Sequence, residues 1–281
     1  MLKRLDGKSI VLAVGIAALL VLAFAPTLAW LAEAWASDAY YSHGPLVVLI
    51  SAFLVWQARR VVRAEIGHSS LAGIPLLAVG LAVHGVAVLW RAYFLSAFGL
   101  LAVLAGLALY FLGRGALRVL LFPIAFLAFA IPLPLAERFG PPLEVFTATV
   151  ATGIVRTLGI PAVSEGSRVL LAGSTFAVGA PCSGLRSLVA LMALTALFCY
   201  LVKGSKWARG LLFLTAIPVA VAANLVRVAS LFGVAYAFGT EAGLGYYHDL
   251  SSPVLFLVAF LMLMVLSRGL RCGDLDLARF S

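Results

Sequence analysis

Charge is scarce in this chain: Lys, Arg, Asp and Glu together make up 11% of its 281 residues. With 64% hydrophobic residues and a mean hydropathy of +1.12, that scarcity excludes a soluble globular domain of this length and leaves a polytopic membrane protein. Several catalytic signatures are missing too. No Gly-x-Ser-x-Gly elbow and no His-Glu-x-x-His zinc helix occurs, and Glu33, Asp38 and Asp249 flank the apolar runs instead of lying inside them, which excludes an intramembrane aspartyl site. No cofactor or metal is expected. Cysteine is limited to three positions. Cys199 lies on the same predicted helix as Cys182, about 25 Å away at 1.5 Å per residue, and Cys272 lies beyond the last apolar run, so Cys182 has no disulfide partner. An unpaired thiol facing an oxidising compartment is a liability unless it has a use.

Apolar stretches run over about Ser9–Leu31, Gly44–Trp56, Leu71–Trp90, Tyr93–Leu112, Ala116–Ile131, Cys182–Val202, Gly210–Phe232 and Pro253–Leu266. Crossing a 30 Å core takes roughly 20 residues, so the second and fifth depend on their flanks. The expected fold is an all-α polytopic membrane protein of about eight transmembrane helices, forming one domain over residues 1–281. The first stretch exceeds the ~7–15 residues of a signal peptide's apolar region and reads as an uncleaved helix.

Basic residues give the orientation, because Lys and Arg near helix ends stay on the cytoplasmic side. Lys3, Arg4 and Lys8 precede the first stretch. Arg59, Arg60 and Arg63 follow the second, Arg114 and Arg118 the fourth, Lys203, Lys206 and Arg209 the sixth, and Arg268, Arg271 and Arg279 the eighth. The opposite gaps carry Glu33, Asp38, Glu137, Glu144, Glu165, Glu241 and Asp249. Both termini are therefore expected in the cytoplasm. The net charge of +9 reflects this topology. Nucleic-acid binding is a poor reading, since the cations are spread over short separate segments.

The long outer gap, Pro132 to Pro181, needs structure of its own. Leu143, Phe146, Val150, Ile154 and Leu158 recur at helical spacing after Pro141-Pro142, which predicts an amphipathic helix lying in the membrane interface. Arg168–Leu171 and Thr175–Val178, joined by Ala172-Gly173-Ser174, read as a short β-hairpin leading to Cys182. This gap either guides substrate or simply ties the fifth and sixth spans together.

Cys182, in Ala180-Pro-Cys-Ser-Gly-Leu-Arg-Ser-Leu188, is expected to open a helix behind Pro181 on the outer face. Unpaired N–H groups there favour an anion, so Cys182 should ionise more readily than a free thiol. A cysteine in a transmembrane helix also serves as a small packing residue, and residue type alone favours that role. Asn224 and Arg227 are three apart toward the outer end of the seventh span and so share one helix face. An arginine within a span is costly unless it faces a partner or water, which marks Arg227 as a site residue; the alternative is snorkelling from a helix end. Arg186, one turn below Cys182, carries the same ambiguity and could equally support a thiolate. His248 precedes the eighth span, again on the outer side; as an interfacial histidine it could instead anchor a loop.

A thiol, an imidazole and a fixed cation on one membrane face are the parts needed for acyl transfer through cysteine. Cys182 would attack a peptide carbonyl, His248 would move protons, and Arg227 would stabilise the oxyanion.

The runs Tyr40-Tyr-Ser-His-Gly-Pro45, Pro132-Leu-Pro134, Glu165-Gly166, Cys182-Ser-Gly-Leu-Arg-Ser187, Asn224-Leu-Val-Arg227 and His248 resemble those of the exosortases, multi-spanning cysteine enzymes of bacteria related to archaeosortases. They extend over nearly the whole chain. Each is weak alone; Cys-Ser-Gly followed by Asn-x-x-Arg and an outer His is specific. The resemblance implies a catalytic set of Cys182, Arg227 and His248; Arg186 and Asn224 are expected to support it, and the charge topology puts the site on the outer, periplasmic face of a bacterial inner membrane. It implies partners that are secreted proteins with a C-terminal sorting tail: a short motif, a transmembrane helix and a basic cluster. The enzyme would cut near the motif and pass the new carboxyl end to an acceptor. The family often has a Gly a few residues after the His, whereas here the run is Asp249-Leu-Ser-Ser-Pro253, which leaves the subfamily open. His rather than Arg at position 248 favours the bacterial branch.

His43 reads as a structural or substrate-contact residue, His68 as an interface residue and His84 as a packed one with no partner visible in the sequence. The competing function is a transporter or lipid-handling factor for exopolysaccharide export, with Arg186 and Arg227 binding an anionic headgroup. A transporter would be expected to show internal symmetry, and no clear repeat is present.

Overall fold

The computed structural model describes residues 7–38, 40–171, 173–179, 182–274 and 276; within its helices the side chains at 8–10, 135, 136, 244, 246, 248 and 249 lie outside the described part. The elements cluster into two compact units, one ending at Pro132 and one beginning at Leu133.

In the first unit, α1 (Gly7–Ala23) and α2 (Ala25–Ser37) meet at a 69° bend at Phe24. Pro26 lies in the first turn of α2, where its missing N–H costs nothing but ends the helix before it. Phe24 is buried at the bend and lies against the His84 ring, centroids 4.0 Å apart. Next come α3 (Gly44–Gln57), α4 (Arg59–Ala64), α5 (Gly73–Leu89) and α6 (Tyr93–Phe126), which ends in a 3-10 turn over Leu127–Ala130. α5 and α6 touch through small residues: a Cβ on Gly80 would lie 2.8 Å from the Gly99 carbonyl oxygen. His84 does have a partner. Its Nδ1 lies 2.7 Å from Ser96 Oγ, which is 2.6 Å from Thr27 Oγ1, a buried polar chain joining α2, α5 and α6.

α6 is broken at Gly113, with φ 85° and ψ 179°, where the sequence divides the fourth stretch from the fifth. The break leaves carbonyls unpaired, and the chain just before α5 satisfies them: Gly67 N–H donates to Leu112 O and Ser70 N–H to Tyr110 O.

In the second unit, α7 (Leu135–Thr157) is followed by β1 (Ala162–Glu165), β2 (Arg168–Leu171) and β3 (Ser174–Ala177). The expected hairpin is a three-stranded antiparallel sheet in the order β1-β2-β3, with Ser164 facing Val169 and Val169 facing Phe176. The extra strand, Ala-Val-Ser-Glu, is short and lacks aromatic residues, so it has little strand signature. Then come α8 (Leu185–Leu201), α9 (Lys206–Phe238), the short α10 (Thr240–Ala242), a π-helical turn over Gly243–Tyr247, and α11 (His248–Gly269).

α9 is the spine of this unit. Its C-terminal half packs Val228, Phe232 and Ala235 against Ala148, Ala151 and Val155 of α7 and against Val169 and Phe176 of the sheet. Its N-terminal half packs Leu212, Ala216 and Ala220 against Leu191 of α8 and Ala259 and Leu263 of α11. The face of α7 that meets the protein is therefore Ala148, Ala151 and Val155. The apolar series read from the sequence lies away from this packing: Phe146, Ile154 and Leu158 are exposed. Small residues allow α7 to approach α9 closely, leaving the larger side chains for the other side.

Each of the eight apolar stretches is helical over most of its described residues. Among the described residues, three helices are long and apolar enough to cross a membrane, Tyr93–Ala130, Lys206–Phe238 and Leu250–Gly269, or four if the bent α1–α2 pair counts as one span. Tyr93–Ala130 contains two of the expected stretches. Gly44–Gln57, Gly73–Leu89 and Leu185–Leu201 are apolar but shorter. Exposed Leu12 and Leu22 of α1 and Leu257 and Leu261 of α11 are surfaces that a bilayer covers, as in an integral membrane protein.

Candidate active site around Cys182

The site is built where the sheet hands the chain to α8. After β3, the Cys182 and Ser183 N–H groups both turn back to the Gly179 carbonyl, at 2.8 and 3.1 Å. Gly184 follows with φ +83°, and α8 begins only at Leu185. Cys182 therefore does not open the helix. It sits on a tight turn three residues ahead of it, and Pro181, expected at the first helical position, lies outside the described residues.

Asn224 and Arg227 lie on one face of α9, as their spacing requires, and both are buried, at 6% and 5% exposure. Asn224 donates from Nδ2 to the Cys182 carbonyl at 3.0 Å. Gly184 makes this approach possible, because a Cβ there would stand 2.6 Å from the Asn224 side chain. Arg227 hydrogen-bonds the Cys182 thiol with its guanidinium and donates from Nη1 to Ser252 Oγ of α11 at 2.8 Å. Arg186, the other candidate support, is exposed on the first turn of α8.

The thiol is harder to ionise than a free cysteine, against expectation. Burial is the main cause, raising its pKa above the ordinary value; the Arg227 charge and hydrogen bond pull the other way, and the Glu144 carboxylate adds to the rise. Glu144 was legible only as an outer acidic residue. In the fold it lies one turn ahead of Ala148, on the α7 stripe Ala148–Ala151–Val155 that belongs to the same core cluster against which Cys182 packs.

His248 is the first residue of α11, and its side chain is outside the described part. Two polar bridges bracket that position. Tyr247 OH lies 2.7 Å from Ser230 Oγ, Ser230 Oγ donates to the Arg227 carbonyl at 2.9 Å, and Ser252 receives Arg227 Nη1. The sequence singled out neither Ser252 nor Tyr247, because serine and tyrosine in an apolar run carry no signal until a partner is known.

The remaining candidates lie elsewhere. His43 precedes α3 in the first unit, its ring stacked on Tyr41 at 6.0 Å. His68 is exposed beside the Gly113 break. None of the three cysteines forms a disulfide; Cys199 donates to the Arg209 carbonyl at 3.4 Å. Among the described residues, no group of three or more His, Cys, Asp or Glu side chains could hold a metal ion.

A buried cation on a thiol, with an amide holding the thiol's own backbone, is an arrangement able to stabilise a developing negative charge on sulfur or on an attacked carbonyl. No characterised protein and no solved structure matches the chain. The family model of the transmembrane exosortases does match, over residues 35–265, a range that contains Cys182, Asn224, Arg227 and His248. Matched over most of its length, the chain belongs to the transmembrane exosortase family.

Proposed function

We propose that this protein is a membrane-embedded cysteine peptidase or transpeptidase that cleaves the C-terminal sorting tail of secreted proteins through an acyl-enzyme on Cys182. The observation that carries the reading is the Arg227 guanidinium on the Cys182 thiol, in a chain of the exosortase family. The Cys182 sulfur attacks the scissile carbonyl, the C–N bond breaks, and the leaving amine takes a proton. Water or another nucleophile then attacks the thioester and returns the thiol. Arg227 meets the negative charge that appears in both steps. Because burial holds the thiol protonated at rest, its proton must leave as the sulfur attacks; His248, one residue beyond the Tyr247 bridge, is assigned that transfer.

The topology of this reading is eight spans with both termini in the cytoplasm of a bacterial cell and the site at the periplasmic face of the inner membrane. Along α9, Arg227 is about 32 Å from Lys206 at 1.5 Å per residue, matching an apolar core of roughly 30 Å. A cytoplasmic Lys206 thus puts Arg227 at the opposite interface. Partners are secreted proteins carrying a short motif, a transmembrane helix and a basic cluster, together with the surrounding lipid; nucleic acid is not among them. The exposed face of Phe146, Ile154 and Leu158 suits α7 to the outer interface.

The test is co-expression of a tagged tail protein with the wild type or Cys182→Ala. A shortened product made only by the wild type is expected, and added mass on its new C-terminus would mean transfer instead of hydrolysis. Equal processing by both would overturn the cysteine mechanism.

A further inference from the structure

The sheet of the second unit runs in the order β1-β2-β3, so β1 and β3 each have an edge that no strand covers, and β3 is the strand that leads into the Cys182 turn. The register fixes which backbone groups face that edge. Val178 N–H donates to Ser167 O at 2.8 Å, continuing the β2–β3 ladder past its last paired residues. Alternation along an antiparallel ladder then makes Val169–Phe176 and Leu171–Ser174 the hydrogen-bonded pairs, and Arg168–Ala177 and Leu170–Thr175 the pairs between them. The N–H and C=O groups of Thr175 and Ala177 therefore point away from β2. Both residues are exposed, and among the described residues no backbone bond reaches those groups. The strand itself is fixed from within: Phe176 and Val178 are buried, Phe176 with its ring centroid 5.9 Å from that of Phe232 on α9. At the end far from Cys182, Thr240 Oγ1 of α10 donates to Ser174 Oγ at 3.3 Å.

We infer that the free edge of β3 is the docking strand for the substrate: an extended segment of the tail protein adds to the sheet as a fourth strand and runs along β3 to the Cys182 sulfur. The chemistry of the edge selects this occupant. Ser174-Thr-Phe-Ala177 offers outward N–H donors and C=O acceptors and no charged side chain, which suits another extended main chain and gives an anionic headgroup nothing to pair with. The edge is also unprotected. Sheets blunt their edges with Lys, Pro, charge or a bulge, and β3 has none of these, whereas β1 on the opposite edge follows Pro161 and ends in Glu165. Position gives the third reason. Gly179, whose carbonyl takes the Cys182 and Ser183 N–H groups, is two residues beyond Ala177, about 7 Å of extended chain. A ladder built on Thr175 and Ala177 thus delivers its peptide to the turn that carries the thiol. This inference rests on the peptidase reading and names how the substrate of that site is held.

The test compares two proline variants of the full-length protein in lipid nanodiscs, acting on a tail protein. Ala177→Pro removes an N–H from the free edge of β3 and puts a ring in the path of an added strand. Ser164→Pro makes the same change at the free edge of β1, since Ser164 faces Val169 in a pair that lies between the hydrogen-bonded ones. Ala177→Pro should lower kcat/KM roughly tenfold, mainly through KM, and Ser164→Pro should leave it unchanged. Wild-type rates in Ala177→Pro, or an equal loss in both variants, overturn the docking strand while Cys182-dependent cleavage by the wild type still upholds the peptidase reading. Absence of that cleavage overturns the peptidase reading and the docking strand with it. Synthetic tail peptides carrying single N-methyl groups, given to the wild type, decide the matter if Ala177→Pro does not fold. Losses at every second residue on one side of the cut are expected, and losses without that period overturn the proposal.

Discussion

Asn224 Nδ2 reaches the Cys182 carbonyl at 3.0 Å across the one residue between Ser183 and α8 that has no side chain, Gly184. Two demands meet at Gly184. Its φ of +83° belongs to the left-handed region, and its Cα faces the Asn224 amide too closely for a methyl group. Gly184→Ala should therefore cost about 1–2 kcal/mol in backbone strain and push Asn224 off the turn. The expected outcome is an inserted protein with little tail cleavage, read by the co-expression gel alongside a melting curve; full cleavage would show that the Asn224 contact is dispensable.

The charges around the thiol make opposite predictions. Glu144 raises the Cys182 pKa, so Glu144→Gln should shift the pH midpoint of thiol alkylation downward. Arg227 lowers it, so Arg227→Gln should shift the midpoint upward. Arg227→Lys keeps charge but loses the planar fork, and turnover should fall by about 10²–10³, as for an oxyanion donor. Shifts of the same sign in Glu144→Gln and Arg227→Gln would contradict the arrangement.

Ser252 positions Arg227 by accepting from Nη1. A hydrogen bond to a charged group is worth about 1.5–3 kcal/mol, so Ser252→Ala should slow cleavage roughly tenfold or more. Ser252→Thr keeps the hydroxyl and should restore most of the rate. Failure of threonine to rescue would point to packing rather than positioning.

If a thiol protonated at rest must lose its proton as it attacks, His248→Ala should lower the rate by about 10²–10⁴ and flatten the pH–rate profile. An unchanged profile would move proton transfer to another group.

Away from the site, Gly80 meets Gly99 at the α5–α6 contact, where a Cβ would lie 2.8 Å from a carbonyl oxygen. Gly80→Val should wedge the two helices apart and destabilise the protein by about 1–3 kcal/mol. Thermal melting in detergent measures this directly, and an unaltered melting temperature would argue against the close crossing.

Some of this was open to inspection in the sequence because it depends on spacing alone. Asn224 and Arg227, three apart, had to share a face once α9 was helical, and the gap between the stretches ending at Leu112 and beginning at Ala116 contains the break in α6. β2 and β3 were visible through their β-branched and aromatic residues, whereas β1 has too few of these to stand out. The apolar series Leu143 to Leu158 was visible as well, but periodicity says only that a helix has two faces. It does not say which face a protein uses when lipid offers a second apolar environment, and here α7 presents its alanines to the protein.

Composition and charge placement by themselves determined a membrane protein with helical spans, because a helix pairs the backbone of each continuous apolar run within itself, and the resemblance read along the chain agrees with the family model that matches residues 35–265. Tertiary structure alone decided how the thiol is poised. The Glu144 carboxylate and the Arg227 guanidinium beside the thiol, and the serine of α11 that holds Arg227, are partners far apart in the chain. Burial and charge at a site are sums over neighbours, and the neighbours are set only when the helices pack.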